Sequence, residues 1–125
     1  MKLLVVDDNY KQLDVLNIAL RSRGHAVMTA RNGEEALQRL EKDESQIELV
    51  LTDYAMPGMN GLDLLKRIRK KHVSLPVIMM SACSDKEIVV SAHISGCNGF
   101  IDKPFTLEFL VSKIEKCEFN GKTKI

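Results

Sequence analysis

Three aspartates, one serine and one lysine carry the chemical possibilities of this sequence. Asp7 and Asp8 close an apolar run at residues 3–6, and Asp53 closes another at residues 47–52. Ser81 follows the apolar run Val77-Ile78-Met79-Met80, and Lys103 follows a short one at residues 98–101. A charge at the end of a buried strand is costly unless something pairs with it. Asp53 is therefore either a cap for the loop that Pro57, Gly58 and Gly61 announce or the centre of a site. If the apolar runs are neighbours in a parallel sheet, their carboxyl ends share one edge, where open α/β sheets bind ligands. The five side chains then converge. Three carboxylates in one place stay ionised only if a cation shares the site. Hard oxygen ligands of this kind suit Mg²⁺, which keeps waters and leaves room for phosphate. Lys103 adds a compact positive charge and Ser81 a hydroxyl. The set suits an aspartyl nucleophile that accepts a phosphoryl group.

The elements that must position these residues are legible from periodicity. Residues 3–6 read as a first strand. From Asn9 the period changes, and Leu13, Leu16 and Leu20 form one stripe of an amphipathic helix that Gly24 ends. Residues 25–29 read as a second strand. Asn32 caps a second helix with Ala36, Leu37 and Leu40 inward and Glu34 and Glu35 in its first turn. The third strand leads into Asp53. A third helix spans 62–71 on Leu64, Leu65 and Ile68, and a fourth strand spans 75–80, with Pro76 tolerated near its start. Ser84-Asp85-Lys86-Glu87 matches a capping box, so a fourth helix starts at Ser84. Its run Ile88, Val89, Val90 lowers intrinsic propensity and makes it the softest helix. A fifth strand at 98–101 reaches Asp102-Lys103-Pro104, and a last helix carries Leu107, Leu110, Val111 and Ile114. After Cys117 the chain reads as a polar, frayed tail. Five strand–helix alternations predict a single α/β domain, a parallel sheet with helices on both faces. Residues 1–118 are expected to be that domain and 119–125 a tail or linker stump.

Composition narrows the classes. The chain has 125 residues, 45% apolar and 28% charged, enough to bury one core. A formal net charge of +1 gives no electrostatic case for nucleic acid or a membrane surface. The apolar runs are of strand length, too short to span a bilayer, and Asp7 and Asp8 come too early for a signal peptide. Cys83, Cys97 and Cys117 lack paired spacing and read as free thiols of a cytoplasmic protein. His25, His72 and His93 are scattered singly, against a zinc site. The basic run Lys66-Arg67-Arg69-Lys70-Lys71 is what a helix dipole favours in last turns.

Together the motifs resemble a response-regulator receiver domain of the CheY-like family: Val-Asp-Asp at the first strand, Leu-Thr-Asp-Tyr-Ala-Met-Pro-Gly-Met-Asn-Gly at the third, Ser-Ala at the fourth and Asp-Lys-Pro-Phe at the fifth. The likeness runs from Lys2 to about Cys117. It implies a doubly wound (βα)5, flavodoxin-like fold with strand order 2-1-3-4-5. It also implies that Asp53 is the phosphoacceptor, in a reaction dependent on Mg²⁺ (or Mn²⁺). Asp8 is then a metal ligand, Asp7 a ligand directly or through water, and the Ala55 backbone carbonyl the third protein ligand. Ser81 hydrogen-bonds the bound phosphoryl group and Lys103 pairs with it. Phe100 stands at the switch aromatic, and a cis peptide bond before Pro104 aims Lys103 into the pocket. The implied partners are a sensor histidine kinase or histidine phosphotransfer protein, and an effector protein or covalently linked output domain. The implied switching face is the fourth helix, fifth strand and fifth helix. Such a domain is not an enzyme beyond its own phosphotransfer and autodephosphorylation. Ala55 and Cys83 depart from CheY, with neither amide nor carboxylate where the family tunes the acyl-phosphate lifetime.

Simpler roles stand beside these. Asp7 can cap the first helix, Ser81 can be a turn serine, Lys103 a solvated surface lysine, and Phe100 a core aromatic. Met56 and Met59 are expected to pack the loop. A haloacid-dehalogenase-type phosphatase also uses an aspartyl nucleophile and Mg²⁺. It needs a second Asp two residues on, where this chain has Ala55. A flavodoxin-like carrier needs a hydroxyl-rich loop after the first strand, where this chain has Asp7-Asp8-Asn9.

Overall fold

Apolar runs of four to six residues, broken by amphipathic stretches, build strands and helices in strict alternation. Along the described residues these are β1 (Lys2–Val6), α1 (Tyr10–Ser22), β2 (Ala26–Ala30), α2 (Gly33–Lys42), β3 (Leu49–Asp53), α3 (Gly61–Arg69), β4 (Val77–Ser81), α4 (Lys86–Ile94), β5 (Gly99–Asp102) and α5 (Leu107–Thr123). The computed structural model describes residues 1–42, 46–82 and 85–123, with 118–123 by backbone alone. Every strand pairing is parallel and the sheet order is β2-β1-β3-β4-β5, the doubly wound order expected.

Strand side chains alternate between two cores. Leu3, Val5, Leu49, Leu51, Ile78, Met80 and Ile101 face α1 and α5, where Leu13, Leu16, Leu20, Leu110 and Ile114 meet them. Leu4, Val6, Val50, Val77 and Met79 face the other side, where α2, α3 and α4 supply Ala36, Leu40, Leu64, Leu65, Ile68 and Ala92. All of β3 and β4 is buried, as a sheet covered on both faces requires. α4 is the exception among the helices, contributing Ala92 alone as a buried residue.

Helix starts follow side-chain capping. Asn9 accepts from Gln12 N at 3.1 Å, so Asn9 rather than Asp7 caps α1. Asn32 accepts from Glu35 N at 2.8 Å, and Asn60 and Asp63 form a reciprocal capping box on α3. The cap of α4 lies one residue later than its sequence suggests. Asp85 accepts from Glu87 N and is the cap, while Ser84 and the variable-position Cys83 lie outside the described residues. β4 begins at Val77, two residues later than the strand expected over 75–80, because Pro76 has no N–H to pair and only its carbonyl accepts, from Val50 N. The chain after Cys117, read as a frayed tail, continues α5 to Thr123. Elongating a formed helix adds one hydrogen bond per residue fixed, and α5 continues through Asn120 and Gly121 despite their low helix propensity.

Candidate functional site

The carboxyl ends of β1 and β3 lie side by side, Val6 in register with Thr52, so Asp7 and Asp53 meet just beyond the last pair. Asp7 N donates to Ala30 O at 3.1 Å, which continues the β1–β2 ladder one residue past the strand. Asp7 is fully buried, Asp53 is 7% exposed, and Asp8 turns to solvent. One carboxylate oxygen from each lies within 4.8 Å of the others. The loop after Asp53 is held close. Tyr54 N donates to Met80 O at 2.8 Å, and Gly61 N donates back to Tyr54 O at 2.8 Å. A Cβ on Gly61 would stand 2.5 Å from Asp53 O and 2.9 Å from Tyr54 Cα, so only glycine permits this closure.

Lys103 reaches the trio from β5. Its Nζ is 3.0 Å from Asp53 Oδ1 and 3.7 Å from Asp7 Oδ2, with its side chain 22% exposed. Lys103 N donates to Ser81 O at 2.8 Å, which ties the lysine's backbone to the end of β4, and the Lys103–Pro104 peptide bond is cis. Ser81 is buried at the last position of β4, in register with Asp102. Phe100 pairs with Met79 two residues earlier, so it and Ser81 are diagonal neighbours on the sheet face covered by α4. Phe100 is half-buried and packs against that core. Ala55 is exposed on the loop after Asp53, and Met56 and Met59 pack the same loop against that core, as expected.

The electrostatics are unbalanced in one direction. Burial is the largest influence on the Asp7 carboxyl and pushes its pKa up. The Asn9 N–H, which donates to Asp7 Oδ1 at 2.9 Å, pulls it down. Asp53 and Asp8 push it up again, and Lys103 opposes them. Asp7 Oδ2 is buried and has no hydrogen-bond partner among the described residues. One lysine against three carboxylates leaves net negative charge and an unsatisfied oxygen in one place. That donor set fits a hard divalent cation such as Mg²⁺.

Sequence reasoning missed two neighbours. Gln12 from α1 and Phe105 from the loop after β5 line, with Ala82, Lys103 and Pro104, a hollow of about 300 Å³ beside the lysine. Neither residue type announces a site. Gln12 is signalled only by its place in the first turn of the helix that follows the acidic pair, and Phe105 by following Lys103-Pro104.

Comparison with known proteins agrees with this geometry. A family profile described as the response regulator receiver domain matches residues 3–115. The chain is 41% identical over 118 residues to a chemotaxis protein CheY homolog of Campylobacter jejuni, covering 92% of this chain and 90% of that one. It is 40% identical over 112 residues to the DNA-binding transcriptional regulator NtrC of Escherichia coli, covering 90% of this chain but 24% of that one. Among solved structures, a response regulator receiver domain protein from Clostridium thermocellum superposes with a TM-score of 0.94 at 28% identity, covering 99% and 98% of the two chains.

Proposed function

The chain belongs to the response-regulator receiver family of two-component signalling, and from that premise we propose that Asp53 is its phosphoacceptor. A carboxylate oxygen of Asp53 attacks the phosphorus of a phosphohistidine on a histidine kinase or phosphotransfer protein. The nitrogen–phosphorus bond breaks, an acyl phosphate forms on Asp53, and the leaving imidazole takes a proton. Asp8, Asp53 and the Ala55 carbonyl, with Asp7 directly or through water, would hold Mg²⁺ or Mn²⁺, which would supply charge neutralisation for the transferring oxygens.

The observation that carries this reading is the Lys103 Nζ to Asp53 Oδ1 contact of 3.0 Å beside an acidic trio with an orphaned oxygen. Lys103 already orients one Asp53 oxygen and is placed to pair with the incoming phosphoryl oxygens. The Ser81 hydroxyl supplies a neutral donor to the same group. Drawing Ser81 toward the phosphoryl opens room on the sheet face it shares with Phe100, which turns inward and re-forms the surface of α4, β5 and α5. That surface is the face offered to an effector protein or a linked output domain. Beyond this phosphotransfer and the domain's own dephosphorylation, the proposal includes no turnover of other substrates.

The test is chemical labelling. Acetyl phosphate with Mg²⁺ should add one phosphoryl group to the wild type, seen by intact-mass spectrometry, and none to Asp53→Asn. Full labelling of that variant, or labelling of the wild type unaffected by EDTA, overturns the assignment.

A further inference from the structure

Thr52 brings a hydroxyl to an apolar place. It stands one residue before Asp53 on β3 and is fully buried. Strand alternation puts it on the sheet face of Val50. Its neighbours in register are Val6 of β1 and Met79 of β4, and all three belong to the core under α2, α3 and α4. A valine has the same branched shape, suits a strand and needs no polar partner, so packing does not call for the oxygen. Burying a hydroxyl is unfavourable unless it is hydrogen-bonded. The Thr52 hydroxyl donates to the backbone carbonyl of the next residue, Asp53 O, at 3.0 Å.

That carbonyl is where β3 gives way to the loop, and it packs so closely on Gly61 that a Cβ there would stand 2.5 Å from it. The peptide group that joins Asp53 to Tyr54 is held at both ends, its oxygen by the Thr52 hydroxyl and its N–H by Met80 O at 2.8 Å. The next peptide group is held through Tyr54 O, which accepts from Gly61 N at 2.8 Å. Three hydrogen bonds thus set the course of the chain from Asp53 to Ala55, and the Thr52 bond is the one made by a side chain. We propose that Thr52 is a positioning residue for phosphoryl transfer. Through the Asp53 carbonyl it keeps the Asp53 carboxylate and the Ala55 carbonyl in the relative placement that a shared metal ion needs. The proposal rests on the reading of Asp53 as phosphoacceptor. Mg²⁺ requires near-ideal octahedral geometry, so two ligands from one short segment must be well placed relative to each other. Thr52 acts through Asp53, not by contact with the phosphoryl group.

The test compares Thr52→Val, which removes the hydroxyl, with Thr52→Ser, which keeps it. The first readout is made in EDTA, by amide hydrogen exchange with the core amides of β1 as reference. The Tyr54 and Gly61 amides should exchange roughly two- to tenfold faster in Thr52→Val, the range set by one net hydrogen bond, and at the wild-type rate in Thr52→Ser. The second readout is Mg²⁺ titration followed by NMR shifts. Affinity should fall by a similar factor in Thr52→Val and stay at the wild-type value in Thr52→Ser. Labelling by acetyl phosphate at subsaturating Mg²⁺ should slow in step. Wild-type exchange and Mg²⁺ affinity in Thr52→Val overturn the proposal. So does equal loss in both variants, which would make shape rather than the hydroxyl the cause. A wild type that acetyl phosphate and Mg²⁺ leave unlabelled overturns the phosphoacceptor reading and this proposal with it, whereas a labelled wild type beside an unaffected Thr52→Val overturns this proposal alone.

Discussion

Asp7 is the residue whose environment is least comfortable. Its pKa is raised by burial and by two like charges. Below the ordinary carboxylate range it is protonated folded or unfolded and costs nothing. As pH rises from there through the raised folded value, ionising it destabilises the fold, and the cost is complete once that value is passed. In EDTA at neutral pH, Asp7→Asn should therefore melt higher than wild type, by about 1–2 kcal/mol or a few degrees. Millimolar Mg²⁺ should raise the wild-type melting temperature and raise the variant's much less. A lower melting temperature for the variant in EDTA contradicts the electrostatic account. Burial acts in the same direction on Cys97. Burial pushes its thiol up, and its Sγ donates to Gly99 O at 2.9 Å. It should react with iodoacetamide at neutral pH roughly tenfold more slowly than in urea, read by peptide mass spectrometry; equal rates mean the thiol is open. The acidic trio, Ser81 and Lys103 were legible in the sequence because each sits at the end of an apolar run. Asn9 taking the cap from Asp7 was not, since either side chain suits that role and only backbone geometry decides.

At the scale of elements, the strands were readable because apolar runs need both sheet faces covered, while boundaries depended on atoms that periodicity does not count, such as the missing N–H of Pro76. The clearest element-level feature had no signal in the sequence. Arg69, at the end of α3, donates from Nε and Nη2 to Gly96 O at 3.1 and 2.7 Å, from Nη2 to Asn98 Oδ1 at 2.9 Å, and from Nη1 to His72 O at 2.8 Å. Asn98 Oδ1 also accepts from Val77 N at 2.9 Å, so one guanidinium joins α3, the turn after α4 and the start of β4. Gly96 has φ +99° and a Cβ there would stand 2.8 Å from Arg69 Nε. In sequence Arg69 is one cation in a basic run, and its partners Gly96 and Asn98 are 27 and 29 residues away. Arg69→Ala should cost roughly 1–3 kcal/mol in urea unfolding. Arg69→Lys should recover little of it, because a lysine lacks the planar fork. Full recovery by lysine would show that charge alone matters here.

Over the whole molecule, the doubly wound order was deducible because alternation of strand and helix admits few right-handed parallel arrangements. The fold puts its best-packed strands, β3 and β4, under Asp53 and its least-buried helix beside Ser81. The least-buried helix is thus one of the elements of the proposed partner face, and moving elements are commonly drawn from the weakly held end of a structure. Among the described residues no helix is long and apolar enough to cross a membrane, and Val90, Ile94 and Phe109 are left exposed on α4 and α5, the helices of the proposed partner face. Hydrogen exchange with beryllofluoride and Mg²⁺ should change protection across α4, β5 and α5, and Phe100→Ala should blunt the change. Effects confined to the loops at Asp7, Asp53 and Ser81 would remove the switching face. The free protein should already sample the inward Phe100 position, since phosphorylation only shifts populations by its differential stabilisation of the two. The guanidinium clasp at Gly96 would give such a motion a direction. It pins one end of α4 and makes that end a fulcrum. Nine helical residues form a lever arm of roughly 13 Å. A tilt of about 10° about the pinned end would then carry the Asp85 end through about 2 Å while barely displacing Ile94. A binding partner astride α4 would meet a graded displacement, largest beside the phosphorylated edge and vanishing at the clasp.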